Sequence, residues 1–218
     1  MKDAVVSTVK QAAEAAGQVD DRPMREMLLE AASTLMIQQG TSDVSLHAIA
    51  RHGGVTAPLV KYYFGGKEGL LVALVERDAG RSLVRLQELL TLPIDPISKL
   101  RLHITGIVRN YARYPYLNAL LSQLARGSGT EASDRIRANF VTPLIDAQRQ
   151  IIEEGIAQGQ FRAIDRDHLY FLIVGACQYM FAVRVPFAEI IDGRHLEPAF
   201  ARDFANTVVD VVLNGLRA

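Results

Sequence analysis

The chain carries a single cysteine, no tryptophan and no excess of charge of either sign: 24 Lys and Arg balance 24 Asp and Glu over 218 residues. Each scarcity excludes something. Cys177 alone can form no internal disulfide and rules out metal sites built on paired cysteines, which fits a reducing compartment. It lies in an apolar run, where burial raises a thiol pKa and makes the sulfur inert. That run, LYFLIVGACQYMFAV from Leu169 to Val183, is shorter than the roughly 20 residues of a membrane span and ends at Arg184. The opening MKDAVVSTVKQAAEAAG lacks a sustained apolar block, so no secretory signal is expected and a cytoplasmic location, away from membranes, is.

Catalytic signatures are also missing. Glu153 and Glu154 are neighbours on a helix and point in different directions, so they do not make a general acid/base pair. His47 and His52 stand five apart, off the i, i+4 spacing of a helical zinc site, and His103 and His168 read as single helical histidines. There is no Walker loop and no dinucleotide fingerprint. The expectation is a protein that is not an enzyme and uses no metal or cofactor.

With 49% hydrophobic residues the chain can bury a substantial core. Its apolar spacing is helical throughout. The most informative stretch is SLHAIARHGGVTAPLVKYYFGGKEGL, residues 45–70, with two short apolar patterns that cannot share one continuous helix. Ser45 can cap the first, which places Leu46, Ile49 and Ala50 on one face. Gly53-Gly54 supplies the freedom of a tight turn, Val55 returns as an apolar plug, and Thr56 caps a second helix from Ala57 to Phe64. Pro58 falls in its first turn, where a missing N–H costs nothing, and Leu59, Val60 and Phe64 make the packing stripe. By elimination Ala57, Pro58, Lys61 and Tyr62 face outward. A small residue, a rigid apolar residue, a cation and an aromatic on one exposed face suit the major groove of double-stranded DNA.

From Met24 to Asp78 the chain resembles the tetracycline-repressor-like (TetR-like) family of transcriptional regulators. The resemblance rests on the first helix MREMLLEAASTLMIQQG, the Ser45-capped second helix, GGVTAPLVKYYF and GGKEGLLVALVER. It implies that Ala57, Pro58 and Lys61 approach bases, that Thr56 and Tyr63 contact phosphates, and that Lys67 sits on the DNA backbone. The last role has a physical basis, because a helix N-terminus already attracts phosphate and an ammonium adds charge. With Ser45 and Tyr62 these residues form the expected DNA-binding set. Lys61 stands where the family most often has Tyr, which bears on base preference; Leu59 stands where it often has Thr, which bears on one phosphate contact. Gly65-Gly66 replaces the usual Pro-Ser and weakens the cap of the fourth helix. Charge argues the other way: Asp43, Glu68, Glu76 and Asp78 answer Arg51, Lys61, Lys67 and Arg77, so nonspecific affinity should be modest.

The remainder reads as helices 67–90, 96–114, 116–125, 134–158, 166–184 and 198–216. GSGTEAS at 127–133 reads as a loop, and Pro143 predicts a kink or break in the seventh helix. Before Asp21 the chain is a polar, Ala-rich arm expected to be mobile. Phe171, Gly175, Gln178 and Ala182 make one stripe on the eighth helix; Phe200, Phe204, Val208, Val211 and Gly215 make one on the ninth. Pattern alone leaves these as either internal core or an interface. The family resemblance implies a homodimer in which both helices form a four-helix bundle with their mates.

The resemblance also implies a small-molecule effector pocket among the middle helices. His103, Asn110 and Tyr114 share one side of the fifth helix, and Tyr170, Cys177 and Arg184 share one face of the eighth. Both sets could equally be buried or boundary residues. As ligand contacts they suit a mostly apolar or aromatic effector with one polar or acidic end, the acid favoured by Arg184.

The expected protein is all-α with about nine helices. Residues 1–20 form an arm, 21–66 a three-helix helix-turn-helix DNA-binding domain, and 67–218 a helical ligand-binding and dimerisation domain. Its expected function is ligand-responsive transcriptional regulation, most often repression, at a palindromic operator. The alternative is a helical binding or adaptor protein of the same fold that does not read DNA.

Overall fold

Local signals set the first four helices. The computed structural model describes residues 21–126, 130–182 and 198–217, so the arm at 1–20 lies outside it. Helix α1 (Asp21–Gln39) ends at Gly40, and α2 (Leu46–His52) opens at Ser45, whose hydroxyl accepts the Ala48 N–H at 3.1 Å. Of the two glycines in the following turn only Gly54, at φ 68°, needs the left-handed region; Gly53 sits at φ −83°. Helix α3 (Ala57–Phe64) begins after Thr56, which is extended and makes no side-chain cap bond. Gly65, at φ 73°, closes α3, and α4 (Lys67–Thr91) starts without a side-chain cap, as the glycine pair predicts.

Helix α5 (Pro96–Arg113) is capped by Asp95, which accepts the Ser98 N–H at 3.0 Å, and α6 (Leu117–Arg126) follows. Helix α7 runs through three stretches: α-helical Glu131–Ile136, π-helical Arg137–Val141 and α-helical Thr142–Ala157. The π turn lies just before Pro143, where the chain would otherwise force a proline ring against the carbonyl four residues back. This is the break predicted at Pro143. The helix begins at Glu131 rather than Asp134, because Thr130 accepts the Ser133 N–H at 3.1 Å and starts it within the segment read as a loop. Helices α8 (Arg166–Ala182) and α9 (Pro198–Leu216) complete the fold. Among the described residues there is no strand; Phe161 and Arg217 form one isolated antiparallel bridge.

Two large apolar clusters hold these helices, with a smaller one of Leu86, Leu89 and Ala147 between α4 and α7. One joins α1–α4 through Leu28, Met36, Ile49, Val60, Leu70 and Leu74 and continues into α6 and α7 through Leu117, Leu120 and Ile136. The other joins α5, α7, α8 and α9 through Leu100, Ile104, Ile151, Ile152, Ile173 and Val209. Each such side chain contributes about 1.5–3 kcal/mol by leaving water. The apolar packing therefore does not divide at residue 66. Helix α4 packs against α1 and α3 at one end and against α5, α6 and α7 along the rest. At about 37 Å for 25 residues, it is a lever between the two halves.

Candidate functional site

On α3 the outward residues are Pro58, Lys61 and Tyr62, the last 64% exposed, with Thr56 exposed beside them. Ala57 is only half-exposed and packs against the core, while Leu59, expected in the packing stripe, is half-buried and outside the core cluster. The turn has rotated the first residues of α3 slightly relative to the expected face. The Tyr62 and Tyr63 rings meet edge to face at 5.3 Å. Arg25 of α1 donates to the Tyr63 carbonyl and stacks its guanidinium over Phe64 at 4.5 Å, fixing the end of α3. Ser45 is occupied as a cap.

Lys67 stands at the first turn of α4, but its ammonium donates to Asp43 Oδ1 at 2.8 Å. That hydrogen bond and charge hold the exposed Asp43 carboxyl below its usual range. Residue types alone do not reveal this pairing across 24 positions. Gly69 was also unanticipated: a Cβ there would lie 1.9 Å from the Phe64 carbonyl oxygen, so only glycine lets α4 start against the end of α3.

A buried polar network ties this head to the rest of the chain. Asp78 on α4, its side chain fully buried, accepts two hydrogen bonds from Arg77, at 2.7 and 3.2 Å. The Tyr116 hydroxyl also donates to Asp78 and lies 2.8 Å from Ser33 Oγ on α1. Arg77 further reaches Glu26 and Glu30 of α1 at 3.3 and 3.1 Å. Burial beside the Asp78 carboxylate raises the Tyr116 phenol pKa well above its ordinary value and keeps it a donor.

Asp78 also lines a cavity of about 400 Å³ among α4, α5, α6 and α7, in the range of small-molecule sites. Leu86, Leu89, Ile107, Leu117, Phe140 and Leu144 form much of its wall. His103, Asn110 and Tyr114 line it together, as the fifth-helix spacing predicts. Asn110 accepts from the Ser82 hydroxyl at 2.8 Å, and His103 Nε2 lies 3.3 Å from Gln148 Oε1. The other set does not converge there. Tyr170 and Cys177 are absent from the lining: Cys177 is fully buried between α8 and the second core cluster, and Tyr170 packs on Phe171. Tyr111, which does line the cavity, stands next to both, and Val174 is the α8 residue that reaches it. The tilt of α8 against α5 makes this choice, which helical spacing cannot supply. Burial pushes the Cys177 thiol up to about 12, as its apolar run suggests. Arg184 lies outside the described residues.

Burial pushes His103 down to about 4, against a smaller opposing effect of its contact with Gln148. In the folded protein the ring stays neutral, while an unfolded chain takes up a proton near the ordinary 6.5. Stability is therefore expected to fall as pH drops from 6.5 towards 4, by roughly 3 kcal/mol in total from this group. His103→Leu should flatten that window in urea denaturation series, and an unchanged slope would assign the acid sensitivity elsewhere.

Among the described residues, helices α8 and α9 leave apolar side chains uncovered. Phe171 is 72% exposed, Tyr179 60% and Val211 66%, and Gly175 opens onto space with no atom within 4 Å of a built Cβ. Gln178 is half-exposed on the same side of α8. Two expected interface residues turn inward: Val208 is buried in the second cluster, and Phe204 packs against it. On α9 the outward stripe passes instead through Thr207, Val211 and Asn214. The side chain of Ala182 lies outside the described set.

Among the described residues no helix is long and apolar enough to cross a membrane. Comparison with known proteins places both halves of the molecule. Residues 28–74 match the bacterial regulatory proteins of the tetR family, and residues 93–218, over half the chain, match the tetracyclin repressor-like C-terminal domain. The chain is 26% identical over 197 residues to the HTH-type transcriptional repressor NicS of Pseudomonas putida, covering 88% of this chain and 92% of that one. It is 24% identical over 204 residues to the HTH-type transcriptional regulator RutR of Escherichia coli, covering 88% and 90%. Among solved structures, the ketosteroid transcriptional regulator KstR2 of Mycobacterium tuberculosis superposes with a TM-score of 0.73 at 19% identity, over 93% of this chain and 98% of that one. FadR of Bacillus subtilis, solved in complex with stearoyl-CoA, gives 0.66 at 21% identity, over 87% and 98%. With its helix-turn-helix head and helical C-terminal half both matched, the chain belongs to the TetR family of bacterial transcriptional regulators.

Proposed function

We propose that the protein is a cytoplasmic repressor that binds a palindromic operator as a homodimer and leaves it when a small molecule enters the cavity. The observation that carries this reading is the continuity of α4: its first turn holds Lys67 beside the reading helix, and its residues between Asp78 and Leu89 supply one wall of the cavity. A ligand that prefers one tilt of this helix changes the separation of two reading heads, and so the affinity for half-sites about one helical turn apart or somewhat more. FadR of Bacillus subtilis, which shares this fold, was solved in complex with stearoyl-CoA, in keeping with a small-molecule effector. In this reading residues 21–66 are the DNA-binding domain and 67–218 the effector and dimerisation domain. Pro58, Lys61 and Tyr62 face the bases, with Ala57 at the edge, while Thr56, Tyr63 and Lys67 hold the backbone and Ser45 holds α2.

The test is a gel shift with the DNA upstream of the protein's own gene across a salt series. Lys67→Ala should weaken binding to all sequences alike and reduce the salt slope by about one unit. Lys61→Ala should instead relax preference at one position per half-site, at about 1–3 kcal/mol. Because Asp43 competes with phosphate for Lys67, Asp43→Asn should tighten binding and steepen the slope. Absence of any shift at low salt would favour the adaptor reading, which the balanced charge supports.

A further inference from the structure

We propose that the effector is an amphiphilic anion whose apolar body fills the cavity and whose carboxylate or phosphate head is held at the mouth by Arg81, Arg85, Arg109 and Arg113. This inference rests on the cavity being the effector site. All four arginines line it from exposed positions, two on α4 and two on α5, each pair spaced i, i+4. Like charges at that spacing repel along a helix, and here two such pairs line one cavity. Among the described residues none of the four has a carboxylate within ion-pair distance. Arg85 donates to the Arg81 carbonyl at 3.1 Å, and Arg113 lies over the Tyr114 ring at 5.3 Å. By contrast Arg77, Arg101, Arg135, Arg137, Arg149 and Arg166 each hold an acid. Arg25, Arg51, Arg126, Arg162, Arg202 and Arg217 also lack one among the described residues, but none of these lines the cavity.

Among the described residues the interior offers the head group no cation. His103 is neutral there because burial disfavours its charged form. Asp78 is saturated by Arg77 and Tyr116, and Asn110 is engaged by Ser82. Among the described residues Glu88 is the one other acid in the lining, so the four arginines keep a positive excess there. An acidic head there supplies the counter-charge the arginines lack and can be gripped bidentately, while a neutral ligand leaves four guanidinium groups without one. The tail meets mostly aliphatic and aromatic wall.

Isothermal titration calorimetry of the full chain tests this with probes of one tail and different heads: decanoate, decyl phosphate, decanol and decyltrimethylammonium. 2-Naphthoate and 2-naphthol repeat the comparison with an aromatic body. The anions should bind about ten-fold tighter or more than the matched alcohols, the ammonium weakest, with the gap narrowing as salt rises from about 50 to about 500 mM. Phosphate over carboxylate would assign a phosphorylated head and the reverse a free acid. The Arg81→Gln/Arg109→Gln variant, and independently Arg85→Gln/Arg113→Gln, should erase the preference without weakening decanol. Equal affinity for acid and alcohol, a preference that survives both double variants, or no binding of any probe would overturn the proposal. No DNA enters this measurement, so its failure leaves operator binding standing, and a failed gel shift leaves this result standing.

Discussion

Arg77→Met is expected to lower the stability of the fold by about 3–5 kcal/mol, because it leaves the Asp78 carboxylate buried without its cation. Tyr116 can still donate to Asp78 but does not neutralise the charge, and the Asp78 side chain has no exposed surface on which water could. For a chain of this length the melting temperature should drop on the order of 10 °C. Replacing the cluster together, Arg77→Met with Asp78→Leu and Tyr116→Phe, should recover most of that loss, since apolar side chains of similar volume need no counter-charge. A loss under about 1 kcal/mol for the single variant would mean that water reaches the pair. The triple variant carries a second readout. Arg77 also binds Glu26 and Glu30, and Tyr116 meets Ser33, so the cluster joins α1 of the reading head to α4 and α6 at the wall of the cavity. A stable protein lacking it should bind operator and yet release it poorly on ligand addition.

Phe171→Glu, alone or with Val211→Glu, should convert a dimer into monomers and weaken binding to a full palindrome by about 10²- to 10⁴-fold, while binding to a single half-site changes little. Both side chains stand in water in the single chain and make no core contact that the substitution would break. Gly175→Arg should act in the same way, because the space above its Cα is where a partner helix comes close. Sedimentation equilibrium together with full-site and half-site gel shifts reads both effects. If these variants sediment as dimers, the assembly uses another face. If the wild-type protein is itself monomeric, the homodimer reading fails.

What the residues dictated by themselves is whatever acts within a turn or two of helix. The Ser45 cap, the left-handed Gly54, Pro58 in the first turn of α3 and the disruption before Pro143 depend on neighbours only a few positions away. The outward direction of Lys61 and Tyr62 follows from helical spacing once Val60 and Phe64 are buried, and so does the shared side of His103, Asn110 and Tyr114. Spacing states which residues share a face, however, and not what that face meets. The tertiary structure decided that Val208 belongs to the core, that Val174 rather than Tyr170 or Cys177 reaches the cavity, and that Lys67 is held by Asp43. It brought Ser33 to Tyr116, 83 positions away, beside the buried carboxylate that Tyr116 holds, and set the arginine pairs of α4 and α5 along one cavity. These outcomes depend on the tilt and rotation of whole helices, which are fixed by the interlocking of many side chains at once.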